Sequence, residues 1–535
     1  MTRRWIAAVA AVAVVAGVAV AAARLPSRSV PREPARRLSL AVGSPDLACP
    51  GPETRSVPRG ASAVDPGGQV MVSALSVDPD VGTDGGRRSA PAVVERTKPG
   101  GTNPRRIALD VAADGLSVAR FDMADAGPAI LGASAEPDTN VPLLAATQST
   151  LAWKGDLRGL VATSCARAAT ESWLVGGATT AGHRLRLLLT DPAGTPAVAD
   201  VEVYGPSGRV SAPSGTGVVV PAHGQVPIFV DALAPDLDRV VVHVTVRSGL
   251  VQAALHESLL RGLVPGGADD VPPAAAPATR QVVPGLSVLA PKSAAAMADL
   301  PAGTEVAAGK DSPGTSVVRV AVPGTEEGVV RVRLLSGDRV VDLDPPAVAN
   351  VPAGGVVDVP VTGVPDGDYA AFVESDVPVL AGAMVARALP ASGRALTSDV
   401  TAGIPPAEFA WTAAARPLGG AVLVALPADV RATLTLVAPD GAAVATVREL
   451  RPSGETAEPR TVSLSAGSTA DLEASAEATG LLVTPAEGSG PLMGAVVLQA
   501  TDQSGPVISA LPLASSGSRT VRVPFAVHDP RLGLP

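Results

Sequence analysis

From residue 185 onward, short Val-, Leu- and Ala-rich runs alternate with breaks that hold Pro or Gly. Residues 185–210, LRLLLTDPAGTPAVADVEVYGPSGRV, read as a strand, a Pro break, a second strand, a Gly turn and the start of a third. The same order returns in VVRVAVPGTEEGVVRVRLLSGDRV (317–340) and in AVLVALPADVRATLTLVAPDGAAV (421–444). Proline stops a strand because its ring fixes φ and removes a ladder donor. Gly and Asp tolerate the positive φ of a tight hairpin. Aligned in this way, Pro192, Pro323 and Pro427 share one register. Further matching pieces follow at 218–231, 349–363 and 462–475, and then VHVTVRSGLVQAALHES, AAFVESDVPVLAGAMVA and LLVTPAEGSGPLMGAVVLQA close each copy. Four pieces in one order, three times over, predict a repeated domain.

Many short strands with regular turns predict an all-β fold: tandem, Ig-like β-sandwiches behind an N-terminal hydrophobic helix. The predicted divisions are a signal or transmembrane helix at 1–23, a basic Pro/Arg linker at 24–48 and a diverged N-terminal β domain at 49–170. Sandwiches follow at 171–265, 280–390 and 395–535, with a Pro/Ala/Gly linker at 266–279. At 535 residues the chain is too long for one core. Aromatic residues make up 2% of it, so the cores are expected to be Val, Leu and Ala.

Residues 6–23, IAAVAAVAVVAGVAVAAA, form an unbroken apolar run behind Arg3 and Arg4. Its length meets the lower bound of a spanning helix, and its layout is also that of a cleavable leader. Both readings stand, and they place the body outside the cell membrane or, after cleavage, in the medium. Seven Arg against Glu33 give residues 1–37 a charge of +6, which leaves −15 on the rest of a chain whose formal charge is −9. An acidic body repels phosphate backbones, so no nucleic-acid partner is expected. Cys49 and Cys165 are the two cysteines and bracket the N-terminal domain. In an exported chain such a pair reads as one disulfide. Trp153 and Trp173 flank Cys165 and are candidates to pack on it.

Catalytic signatures are missing from the sequence. There is no GxSxG elbow and no S-x-x-K set, and paired thiols leave Cys–His catalysis without a nucleophile. The histidines at 183, 223, 243, 256 and 528 form no HExxH or HxH pattern, so each reads as a surface or satisfied edge residue. Residues 78–85, DPDVGTDG, space acidic side chains as a calcium loop does but lack its closing Glu, and read as an exposed acidic loop. Asp342, Asp344, Asp366 and Asp368 read as turn formers. No metal and no cofactor is expected. Trp411 and Tyr369 are the remaining aromatic candidates for a sugar-stacking platform.

Several segments together resemble an uncharacterised family of secreted or membrane-anchored actinobacterial proteins, a domain of unknown function. They are Cys165 with SWLVGG (172–177), the LLLTDP strand end, SDVPVLAG (375–382), AEFAW (407–411) and the closing VPFAVHDPRLGL. The resemblance covers nearly the whole chain beyond the leader and supplies no catalytic residue. Such proteins are encoded near envelope glycosyltransferases, which implies envelope biogenesis by association. The expected function is a non-enzymatic extracytoplasmic scaffold or interaction protein of the cell envelope, with envelope protein or glycan partners and membrane contact through the N-terminal helix. The alternatives are an array of carbohydrate-binding modules and an enzyme whose carboxylates converge only on folding.

Overall fold

Along Gly328–Ser336 the side chains of Val330, Val332 and Leu334 are buried, while Val329 and Arg331 between them are exposed. This period of two is what a strand half-buried in a sandwich requires. The computed structural model describes residues 10, 13–18, 37–42, 46–51, 68–77, 92–96, 105–111, 116–123, 127–133, 142–262, 264–288, 315–388, 407–453, 457–502, 505–514 and 519–524. They are nearly all strand, in antiparallel sheets that stack as four β-sandwiches. The two-layer architecture is the immunoglobulin-like one expected.

In the second sandwich the eight strand positions are Glu171–Val175, His183–Thr190, Ala197–Gly205, Gly208–Val210 with Val218–Val220, Gln225–Phe229, Val241–Ser248, Gln252–Arg261 and Val264–Val271. One sheet runs in the order 1-6-3-4 and the other 5-2-7-8. The other three sandwiches repeat these orders, so the N-terminal domain is a fourth copy. Their eighth strands are Gly159–Ser164, Ala407–Ala413 and Gly505–Pro512. In the third sandwich one strand, Gly367–Ala388, fills positions six and seven. Its first part pairs with Gly328–Ser336 and its second with Val317–Ala321.

Three sequence expectations change. Residues 266–271 of the expected linker belong to the eighth strand of the second sandwich, Val264–Val271, because the Gly- and Asp-containing stretch VPGGADDV still pairs along Gln252–Arg261. Residues 407–413 belong to the third sandwich rather than the fourth, since they pair with Gly367–Ala388. Pro427 is out of register. Pro192 and Pro323 follow the second strands of their sandwiches, whereas Pro427 follows Val422–Ala425, the first strand of the fourth. The proline that matches them is Pro439, just beyond Arg431–Ala438. Val422–Ala425 and Arg431–Ala438 are both apolar runs followed by a proline, so a slip by one strand leaves the pattern intact.

Residues 43–518 form one compact unit that holds all four sandwiches. The other unit joins the two ends of the chain, and in it Arg37–Val42 pairs antiparallel with Arg519–Pro524. Residues 10 and 13–18 of the apolar run are helical, and the rest of that run lies outside the described residues. Among the described residues no helix is long and apolar enough to cross a membrane.

The sandwiches close a ring. Leu157 and Val161 of the first meet Ala268 of the second, and Trp173 and Val175 of the second meet Ala321 and Leu380 of the third. Val282 and Phe372 of the third meet Val437 and Met493 of the fourth, and Leu423 and Leu482 of the fourth meet Leu75 and Leu116 of the first. At the centre the four eighth strands pack in that cyclic order. This explains the runs buried on both faces, such as Ala407–Ala413, which a lone sandwich would not show.

Candidate functional site

An eighth strand is the edge of its sheet, and its outward N–H and C=O groups need partners once water is removed. In the ring, buried carboxyls supply them. Asp269, on the second sandwich, is fully buried. Its Oδ2 accepts the Trp411 N–H of the third sandwich at 2.8 Å, and its Oδ1 lies 2.9 Å from Ser509 Oγ of the fourth and 3.5 Å from the Ala162 N of the first. One carboxyl therefore touches all four sandwiches. Glu408 of the third sandwich accepts the Leu160 N–H of the first at 3.1 Å. Burial pushes its carboxyl up to about 8, against the opposing effects of the Leu160 N–H, Arg158, the Ile508 backbone and Arg387. Burial likewise pushes Asp269 well above the usual carboxylate range.

A second polar knot lies between the second and third sandwiches. Glu257 accepts the Ala178 N–H at 3.0 Å, lies 2.7 Å from His183 Nδ1 and accepts the Trp411 indole N–H at 2.7 Å. Arg319 is 3% exposed and pairs with Asp358 through two hydrogen bonds of 2.8 and 2.9 Å. It crosses the seam to donate to the carbonyls of Gly177, Val240 and Asp238, and its guanidinium lies 5.0 Å over the Trp411 ring. Two glycines make room. A Cβ on Gly176 would lie 2.9 Å from the Trp411 ring, and one on Gly382 would lie 2.7 Å from the Val175 carbonyl. Three of the segments that carried the family resemblance, SWLVGG, SDVPVLAG and AEFAW, thus meet at this seam.

Trp411 is 1% exposed and Tyr369 is 4% exposed, with its hydroxyl donating to the Pro365 carbonyl. Neither is a sugar platform: the indole is consumed by Glu257 and Arg319, and the phenol closes a turn. Three histidines do have carboxylate partners. His183 meets Glu257, His256 meets Asp270 at 2.8 Å, and His243 lies between Glu171 and Glu202 with its ring stacked on Trp173 at 3.6 Å. Their partners sit on other strands, so no local spacing announced them. His223 holds a turn at φ 51° near Asp191, whose carboxyl burial pushes up. His528 and the acidic loop at 78–85 lie outside the described residues. Asp342 and Asp344 are exposed positions within Arg339–Val351 rather than in turns. Among the described residues no group of His, Cys, Asp and Glu is arranged to hold a metal ion.

Cys49 and Cys165 form a disulfide, with their Cα atoms 4.3 Å apart. Cys165 sits where the chain leaves Gly159–Ser164 for a short pairing with Leu47–Cys49, so the bond ties the first strand to the crossover between the sheets. Phe121 and Met123 share its apolar cluster. The two candidate tryptophans go elsewhere, Trp153 onto the core of the fourth sandwich and Trp173 into the seam of the second with the third. An open cleft of about 880 Å³ lies between Arg120 of the first sandwich and the loops around Pro427, Arg451 and Glu477 of the fourth. Its Arg431 is held by Glu473 at 2.8 Å.

The chain belongs to a family of unknown function (DUF5719), which it matches over residues 118–475. No curated protein matches it. Among solved structures it is similar to a biofilm associated protein (BSP domain) at 10% identity, over 92% of this chain and 99% of that one, with a TM-score of 0.14. It is also similar to Streptomyces avermitilis alpha-L-rhamnosidase complexed with L-rhamnose at 11% identity, over 80% of this chain and 55% of that one, with a TM-score of 0.11. Likenesses this slight bear on neither fold nor function.

Proposed function

We propose that this member of a family without an assigned activity is a rigid, non-enzymatic scaffold outside the membrane of an actinobacterial-type envelope. The N-terminal apolar run anchors it, or releases it when cleaved. The half-exposed 1-6-3-4 sheets are the surfaces offered to envelope protein or glycan partners. The observation that carries this reading is Asp269, on the second sandwich, bonded to groups from the other three. An apolar seam can slide at little cost, whereas a buried polar group is satisfied in one arrangement only. Such a ring holds its outer surfaces at fixed spacing, which is what a scaffold needs. The Cys49–Cys165 disulfide supports an oxidising compartment.

Crosslinking in intact cells that make the full chain, followed by purification under denaturing conditions, tests the proposal. Covalent adducts with envelope proteins or glycans are expected. Unadducted chain with two free thiols, recovered from the cytosol, would overturn both the partner and the compartment.

A further inference from the structure

We infer that the ring is locked by a proton: Asp269 in its neutral form hands a hydrogen to Ser509, which hands its own to the Ala162 carbonyl, and loss of that proton loosens the four eighth strands. A count of hydrogens requires it. Ser509 Oγ lies 2.9 Å from Asp269 Oδ1 and 3.3 Å from the Ala162 carbonyl oxygen, and it has one hydrogen to give. With Asp269 ionised, the carboxylate and the carbonyl compete for that hydrogen. With Asp269 protonated, the acid donates to Ser509 and Ser509 donates to Ala162. The second, fourth and first sandwiches are then joined in one chain of hydrogen bonds. The other oxygen still accepts from Trp411 and so holds the third sandwich.

The charges around the site point the same way. Gly159–Ser164 and Gly505–Pro512 bring no titratable side chain to it. On its own strand Asp270 adds like charge and is engaged by His256. Glu257, on the neighbouring strand, is engaged by Ala178, His183 and Trp411. Glu408, on Ala407–Ala413, lies in the field of Arg158 and Arg387, and Arg186 in the fields of Asp270 and Asp231. An ionised Asp269 thus has no cation assigned to it in a dry junction, and water entering to solvate it has to part the strands. Burial, which pushes this carboxyl upward, agrees.

Hydrogen exchange of the full chain tests the lock, read on peptides covering Gly159–Ser164 and Ala407–Ala413 and corrected for base catalysis. A Glu408→Gln background keeps the neighbouring acid from titrating. As pH is raised from the ordinary carboxylate range into mild alkali, exchange at both strands is expected to accelerate roughly tenfold or more. Asp269→Asn, whose amide can still donate to Ser509, is expected to abolish that acceleration. Equal pH dependence with and without Asp269, or none in its presence, overturns the lock. If the Asn variant does not fold, Ser509→Ala decides. It breaks the chain without touching a charge, and unchanged protection of Gly159–Ser164 at the lower pH would be equally fatal. The outcome does not depend on whether the protein is a scaffold.

Discussion

The core of the third sandwich and the junction of the eighth strands bury side chains equally well and by opposite means. The core is Val318, Val320, Val330, Val332, Leu334 and their neighbours, with one aromatic, Tyr369. The junction is Asp269, Glu408 and Trp411, with Glu257 and Arg319 in the knot beside it, each with named partners. The first gains from area removed from water and is indifferent to direction. The second gains little net energy and admits one geometry. In this protein apolar burial makes the sandwiches, and directional polar groups fix how they are assembled.

That contrast can be broken most severely at Arg319. Arg319→Ala leaves Asp358 and three carbonyls across the seam unserved and is expected to cost about 3–5 kcal/mol in urea unfolding. Arg319→Met, of similar volume, should recover part of this; complete recovery would show that the seam needs bulk rather than direction. Next, replacing both Cys49 and Cys165 by Ser releases a loop with a sequence separation of 116 and should cost about 2–4 kcal/mol, with faster proteolysis confined to the first sandwich. In the core, Val332→Ala is expected to cost about 2 kcal/mol, without altering how the sandwiches unfold together.

A pH series sharpens the comparison further. Glu408 binds its proton up to about 8 in the folded chain, against an ordinary value of 4.5. Its contribution is therefore fully present below the ordinary value, declines as pH rises between the two and is lost above about 8. Thermal melts of the native chain should show that decline, and Glu408→Gln should reduce it, leaving the part that Asp269 contributes. A core substitution should leave the slope untouched. The smallest effect belongs to Arg431, whose side chain and that of its partner Glu473 are 62% and 57% exposed. Arg431→Ala should change stability by less than about 1 kcal/mol, in keeping with a solvated pair.

The alternation of apolar and polar positions made the sandwiches legible, and the isolated cysteine pair pointed to the bond that the fold contains. The repeat was legible only to within one strand, because Val422–Ala425 and Arg431–Ala438 carry interchangeable patterns. The assembly was not legible, since a lone acid such as Asp269 acquires its meaning from Ala162, Trp411 and Ser509 on three other sandwiches. A signal was nevertheless present. Glu408 in AEFAWTA and Glu257 in ALHESLL sit in strands that carry apolar residues on both faces, where a solvated carboxylate has no place. Trp411 looked like a spare aromatic because Glu257, its hydrogen-bond partner, is 154 residues away.

Four sandwiches are welded into one body through their eighth strands. Differential scanning calorimetry of the intact, oxidised chain addresses it most directly. A single transition for residues 43–518, with calorimetric and van't Hoff enthalpies in agreement, is the expected result. Separate transitions for individual sandwiches, unaffected by Arg319→Ala or by pH, would contradict the account.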